Sequence, residues 1–216
     1  MKNTICALKI QLVGAKKPPV WRKIHIPIRL TFYEFHLVIQ EAMSWFDYHL
    51  FQFDFDEYIV PGSVDMDSIP WREKSVLNPF TTIVFPYLLM FEKMDYYYDF
   101  GDGWHIKITM EDFVESEEYA PKIIAYKGIS PPEDCGGIGG YYNLLQILND
   151  PTHEEYEMMT DWAEMQSFNT FDKEETNLYF EEIFSDFGQI YFENPIRIAQ
   201  DFYEEMEEFE MEEFEE

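Results

Sequence analysis

The chain has 216 residues, 46% of them apolar and 19% aromatic, enough to bury a sizeable core in one domain or in one domain with an appendage. Forty-three Asp and Glu stand against 15 Lys and Arg, a formal net charge of −28, which excludes a generic binder of the DNA backbone because phosphate contacts require cations. No apolar run approaches the ~18 residues needed to cross a membrane. Residues 4–13 alternate and are β-rich, so a first strand is expected, followed by a turn from Gly14 to Pro19. From Val20 to Ile28 the alternation resumes, with Val20, Arg22 and Ile24 opposed to Trp21, Lys23 and His25, and predicts a second, antiparallel strand. Thr31 and Glu34 are spaced as a capping box, and Phe32, Phe35, Ile39, Ala42, Met43 and Phe46 share one helical face, predicting a helix over about 32–45. Leu50 to Ile59 reads as strand, turn, strand, with Phe51, Phe53 and Phe55 on one side. Residues 61–82, carrying Pro61, Gly62, Pro70 and Pro79, read as a loop with a short helical turn, and β character is expected again from Ile83. Asp95–Phe100 and Trp104–Phe113 predict a hairpin around Gly101, Asp102 and Gly103.

The character then changes. Residues 128–140 read as a loop stiffened by Pro131 and Pro132 and loosened by glycines. Tyr141, Leu144, Leu145 and Leu148 mark a helix stopped at Asn149-Asp150-Pro151. Thr152 and Glu155 have capping-box spacing for a second helix through Trp162, and Asp172–Glu175 opens a third that ends near Gly188. The expected class is α+β: a mostly antiparallel sheet, one early helix, a C-terminal cluster of helices and an acidic tail. The expected division is a domain over 1–188 and an acidic, aromatic extension over 189–216.

Charge is unevenly spread. Residues 1–30 hold seven cations and no acid, whereas residues 201–216 hold ten acids and no cation. Phe202, Met206 and Phe209 lie at i, i+4 and i+7, one stripe of a helix whose remaining positions are carboxylates. Such a tail either keeps the chain soluble or folds on a partner with an apolar groove and a basic rim. A third reading has the acidic surface imitate nucleic-acid phosphates. Two cysteines, Cys6 and Cys135, and an alternating rather than apolar start predict a cytoplasmic protein with reduced thiols.

Four segments stand together in order: PPVWRK (Pro18–Lys23), LTFYEFHLVIQEAMSWFDYHLFQF (Leu30–Phe53), YDFGDGW (Tyr98–Trp104) and PPEDCGGIGGY (Pro131–Tyr141). With Leu148–Trp162 and Phe171–Asn177 they resemble the plasmid pRiA4b ORF-3-like family, also described as passenger proteins of an insertion element. The resemblance spans about residues 4–184. It implies an α+β fold and association with plasmids, phages or other mobile elements, and it brings no catalytic residue or cofactor. The chain departs from the family pattern in HIKITMEDF after YDFGDGW, which is not strongly basic, and beyond residue 188.

The candidate cleft comprises Trp21, Arg22, Asp99, Asp102, Trp104, His105, Glu133, Asp134 and Cys135. Asp99 and Asp102 either cap turn amides, with Gly101 and Gly103 at positive φ, or present a carboxylate pair beside His105 for metal binding or acid–base work. Cys135 is either a small apolar filler or a nucleophile, and no protease signature surrounds it. Trp21 is expected in the core with Arg22 pointing outward, or both form a cationic platform for an anion. His36 and His49 could join Asp99 or Asp134 in a metal site, although no ligand spacing supports one, and no metal or cofactor is expected. No phosphate-binding glycine loop, nucleophile elbow or zinc-finger spacing occurs. The leading expectation is a non-enzymatic interaction protein with a protein partner, basic or nucleic-acid-binding, and no membrane contact. The rivals are a metal- or cysteine-dependent enzyme sited between YDFGDGW and PPEDCGG, and a DNA-mimic inhibitor.

Overall fold

The computed structural model describes residues 3–62, 74–116, 119–168 and 171–184. The proposed extension, with Phe202, Met206 and Phe209, and the expected end of the last helix near Gly188 lie outside the described residues, as does Pro70.

The two opening strands form as their alternation requires. β1 (Asn3–Lys16) pairs antiparallel with β2 (Pro19–Pro27), and Leu8, Ile10, Leu12, Val20, Ile24 and Ile26 all turn to one buried face. α1 (Phe32–Met43) opens on the expected capping box: the Glu34 N–H donates to Thr31 Oγ1 at 3.2 Å and the Thr31 N–H to Glu34 Oε2 at 2.7 Å. It ends at Ser44, in the left-handed region. β3 (Phe51–Phe55) and β4 (Tyr58–Pro61) form the predicted tight pair, and β5 (Ser75–Val76) adds parallel to β4. β6 (Lys93–Tyr98) and β7 (Trp104–Ser116) make the predicted hairpin, and β8 (Lys122–Lys127), which the sequence analysis does not mark, pairs with β2. Among the described residues this gives one eight-stranded sheet in the order β5-β4-β3-β6-β7-β1-β2-β8, antiparallel except at β4–β5.

The inner face of the sheet and α1 form an aromatic core. Phe53 of β3 contacts Phe32 at 5.1 Å and Phe35 at 5.7 Å between ring centroids, and Tyr96 of β6 at 4.9 Å. All four rings are fully buried, each contributing about 1.5–3 kcal/mol by leaving water. Three helices follow: α3 (Gly137–Leu148), α4 (Tyr156–Met165) and α5 (Lys173–Phe184). Asp172 Oδ1 accepts the N–H groups of Glu174 and Glu175 and so caps α5. Asn177 of α5 then covers part of the edge strand β8: its amide accepts the Ile123 N–H at 2.7 Å and donates to the Ile123 carbonyl at 3.1 Å. Among the described residues no helix is long and apolar enough to cross a membrane.

Three local expectations are corrected. The apolar run from Ile83 is not a strand: Ile83 makes a single antiparallel bridge with Thr31, Phe85–Phe91 is helix α2 with Pro86 in its first turn, and the next strand starts at Lys93. A continuous apolar run has no period to separate helix from strand, and proline in the first turn favours helix. α3 begins at Gly137, inside the stretch read as loop. Thr152 caps no helix; its hydroxyl donates to Asp150 Oδ1 at 2.6 Å, and α4 starts at Tyr156 without a side-chain cap.

The orientation of Trp21 and Arg22 is also the reverse of that expected. Trp21 lies half-buried on the outer face, with Lys9 Nζ 5.6 Å from its ring centroid. Arg22 is fully buried, in phase with Val20 and Ile24. Its Nε donates to the Ala42 carbonyl at 2.8 Å, Nη1 to the carbonyls of Trp21 and Gly128 at 3.1 Å each, and Nη2 to Ser130 Oγ at 3.0 Å. The guanidinium lies 4.0 Å from the Phe171 ring centroid. Burial pushes its pKa down to about 10, so it stays charged at neutral pH. A planar fork with five donors meets this set of acceptors, whereas an ammonium cannot. Arg22→Lys should therefore lower unfolding stability by about 2 kcal/mol and Arg22→Ala by about 3 kcal/mol or more, read from urea denaturation midpoints. Equal midpoints for wild type and Arg22→Lys would show that the fork geometry carries nothing.

Candidate functional site

Three loops meet at one end of the sheet. The first follows α1 and runs from Trp45 to Leu50; the second is the β6–β7 turn, Asp99–Gly103; the third is Gly128–Gly136, leading into α3. Their junction is the buried carboxylate of Glu133. It accepts the Tyr98 hydroxyl on Oε1 and the Phe46 N–H on Oε2 at 2.7 Å. The Tyr98 oxygen in turn accepts the Tyr48 N–H at 3.0 Å and is hydrogen-bonded by the His49 backbone. Burial and the adjoining carboxylate hold the Tyr98 phenol far above its usual pKa, so it remains a donor. Trp45 Nε1 donates to the Pro131 carbonyl at 2.9 Å, and the Asp99 N–H to the Leu50 carbonyl at 3.0 Å.

The β6–β7 turn is built differently from the expectation. The residues at positive φ are Asp99 (52°) and Gly103 (68°), and Gly101 is not among them. Asp99 Oδ1 accepts the Gly101 N–H at 2.9 Å, an Asx-type closure that leaves Oδ2 directed elsewhere. Asp102 does not cap its own turn; its Oδ2 accepts the Gly136 N–H at 3.1 Å and ties the second loop to the third. At the same contact Gly137, with φ of 65°, passes so close to Asp102 that a Cβ would lie 2.5 Å from the Asp102 carbonyl oxygen.

Asp99, Asp102, Trp104, Glu133, Asp134 and Cys135 thus belong to one end of the sheet. His105 faces the outer side, with Nε2 2.7 Å from Asp95 Oδ1 and its ring 4.7 Å from that of Tyr97. Arg22 reaches the third loop from beneath, through Gly128 and Ser130, whereas Trp21 lies on the outer face beside Lys9. His36 does not join His49: it is fully buried between Tyr96 (Nδ1 to the hydroxyl, 2.8 Å) and Asp47 (Nε2 to Oδ1, 2.8 Å). Burial lowers its pKa, against the opposing pull of Asp47. His49 instead sits between two aspartates. Its Nε2 lies 3.4 Å from Asp134 Oδ1 and 3.7 Å from Asp99 Oδ2, and that nitrogen is buried without a hydrogen-bond partner. Trp104 Nε1 is likewise buried and unpaired.

Cys135 is half-buried, with Sγ 3.8 Å from the Gly137 carbonyl oxygen. Burial, then Asp102 and Asp134, push its thiol up to about 12, a direction opposed to thiolate chemistry. Sequence reasoning missed Trp45, Tyr98 and the exposed side chains Phe46, Tyr48, Leu50 and Phe100 around the junction. The signal available for Leu50 was its break in the alternation of Phe51, Phe53 and Phe55; Phe46, expected on the apolar face of the helix, instead lies beyond the left-handed cap at Ser44 and is exposed, because the helix ends before it.

The profile of the plasmid pRiA4b ORF-3-like protein family matches residues 4–179. The chain belongs to this family. Among pRiA4b ORF-3-like relatives, an uncharacterized protein named y4hQ from Sinorhizobium fredii (strain NBRC 101917 / NGR234) is 28% identical over 179 residues, covering 79% of this chain and 86% of that protein. The crystal structure of a protein of unknown function, MM3350 from Methanosarcina mazei Go1, is similar with a TM-score of 0.69 and 29% identity, covering 81% of this chain and 98% of that one. Three of the four family segments, Leu30–Phe53, YDFGDGW and PPEDCGGIGGY, supply the loops of this junction, and the fourth, PPVWRK, supplies Arg22 beneath it.

Gly137 joins the second and third loops through backbone proximity alone. Gly137→Ala should cost more than about 2 kcal/mol, since strain and collision act together, whereas Gly103→Ala, with open space at its Cβ, should cost about 1 kcal/mol. Urea denaturation of both variants checks the ranking; the reverse order would mean that the two loops are not in contact in solution.

Proposed function

We propose that this chain is a non-enzymatic interaction protein that recognises a partner carrying a basic side chain flanked by apolar ones. The reading rests on one observation: Phe46, Tyr48 and Leu50, 48%, 76% and 56% exposed, lie on the first loop beside His49, and Phe100, 60% exposed, lies on the second loop with Asp99 and Asp102, so that two of the three joined loops carry exposed apolar side chains next to acidic ones. The rings of Phe46 and Tyr48 stack at 5.7 Å, and Leu50 and Phe100 flank Asp99 through the Asp99–Leu50 hydrogen bond and chain adjacency. Exposed apolar groups gathered at one place are costly in water and are a common mark of a binding surface. Aromatic anchors with a charged rim suit a partner of opposite charge, and the net charge of −28 favours encounter with a basic one. The reading also includes the tail, with Phe202, Met206 and Phe209 as a second contact, and a setting on a plasmid, phage or other mobile element, for which the family's plasmid-derived description is the support.

The burial and carboxylate neighbours of Cys135 favour this reading over a cysteine-dependent enzyme. Arrays of short peptides that combine Lys or Arg with apolar residues provide the test, with Asp-substituted peptides as controls. Wild type should bind the basic set, and binding should fall as salt rises. Tyr48→Ser and Phe100→Ser should each weaken it by about tenfold or more with unchanged urea midpoints, as expected of exposed anchors. Binding that is equal for basic and acidic peptides, or that survives both substitutions, would overturn the proposal.

A further inference from the structure

We propose that His49, Asp99 and Asp134 form a binding site for one divalent first-row metal ion of the Mn2+, Fe2+ or Zn2+ class. The three ligand atoms, one imidazole nitrogen and two carboxylate oxygens, all lie within 4.8 Å of one another. Metal–ligand bonds of about 2.0–2.2 Å place neighbouring ligand atoms about 3.0–3.5 Å apart in tetrahedral or octahedral geometry. The separations of 3.4 Å from His49 Nε2 to Asp134 Oδ1 and 3.7 Å to Asp99 Oδ2 need only small side-chain closure to meet that geometry.

A second observation concerns the nitrogen itself. His49 Nε2 is buried and makes no hydrogen bond, although two carboxylates face it. At 3.4 and 3.7 Å it lies too far from either oxygen for a good hydrogen bond, so its lone pair or proton goes unsatisfied. A cation seated among the three groups satisfies the nitrogen and separates the two negative charges. Among the described residues neither aspartate pairs with a Lys or Arg, so no side chain supplies that charge.

The support around the ligands is of the kind that fixes a metal site. Asp99 commits Oδ1 to the Gly101 N–H and presents Oδ2 to His49. The loop carrying His49 is fixed by the Tyr98 hydroxyl, and the loop carrying Asp134 by Glu133. Each ligand comes from a different loop, so the ion would cross-link all three. Mixed imidazole and carboxylate donors select a borderline divalent cation rather than a thiophilic one, and Cys135 is not part of the set. Three protein ligands leave coordination positions open, the arrangement of ligand-binding rather than purely structural sites. The Asp134 side chain is 69% exposed, so the open positions on its side are accessible to solvent, and a water or an anionic oxygen would complete the shell.

The site stands independently of the partner proposal, because metal titration needs no partner. Full-length chain stripped with chelator is titrated with Mn2+ by calorimetry and by the electron paramagnetic resonance of free Mn2+, then with Zn2+ in competition. One equivalent should bind distinctly more tightly than the weak background of surface carboxylates. His49→Gln and Asp134→Asn should each weaken that equivalent by more than about tenfold, since even outer-shell changes cost that much. Asp112→Asn, an exposed control acid, should leave it unchanged. Asparagine tolerates the left-handed conformation of residue 134 and that side chain is exposed, so Asp134→Asn keeps the fold, as near-ultraviolet circular dichroism will record. Weak binding alone, or a tight equivalent that persists in the His49→Gln, Asp134→Asn double variant, overturns the proposal.

Discussion

Glu133 is a carboxylate removed from water and, among the described residues, met by neutral donors rather than by a Lys or Arg, and the end of the sheet is organised around that fact. An isolated buried charge costs several kcal/mol, so it persists only where donors converge on it. Here the donors are the Tyr98 hydroxyl, from the end of β6, and the Phe46 N–H, from the segment after α1. Satisfying one side chain therefore fixes three separate stretches of chain against one another. The loops follow as consequences: Tyr98 then receives the Tyr48 and His49 backbone, and Trp45 reaches the Pro131 carbonyl.

The same third loop is held from below by the opposite charge. Arg22 is buried and, among the described residues, has no carboxylate partner; it is satisfied by carbonyls of Trp21, Ala42 and Gly128 and by the Ser130 hydroxyl. The two buried charges do not form an ion pair. Each instead orients dipoles, which gives direction that a single ion pair would not, because every donor and acceptor must sit at its own angle. Residues 128–133 are thereby held at both ends, and the next residue, Asp134, is exposed in a left-handed conformation.

The hydrogen-bonded frame of this end of the sheet carries both proposals made for it. Exposed apolar side chains, Phe46, Tyr48, Leu50 and Phe100, lie on the same loops as a histidine that two aspartates face and as one of those aspartates. The partner reading uses the exposed apolar side chains and the metal reading uses the histidine and its aspartates, and the two make separate demands on the same frame. Cys135 lies next to both and is turned inward, with its thiol kept protonated by burial and by Asp102 and Asp134.

Much of the fold was legible in the sequence because it rests on local rules. Period-two alternation marked β1 and β2, the Thr31–Glu34 spacing marked the start of α1, and glycines marked the β6–β7 hairpin. The joint occurrence of YDFGDGW and PPEDCGG was legible too, and both segments lie at one end of the sheet. Local rules failed where two conformations share one pattern: the apolar run at Ile83–Phe91 folded as α2, and Thr152 turned to Asp150 instead of capping α4. The orientation of Arg22 is another limit. Its phase with Val20 and Ile24 pointed inward, but charge argued outward, and only the carbonyls gathered from α1 and from beyond β8 decided for burial. The pairing of His49 with Asp99 and Asp134, rather than with His36, was likewise settled by tertiary structure. These residues are separated by 50 and 85 positions along the chain, and no local spacing encodes a meeting that depends on how three loops pack around one buried carboxylate.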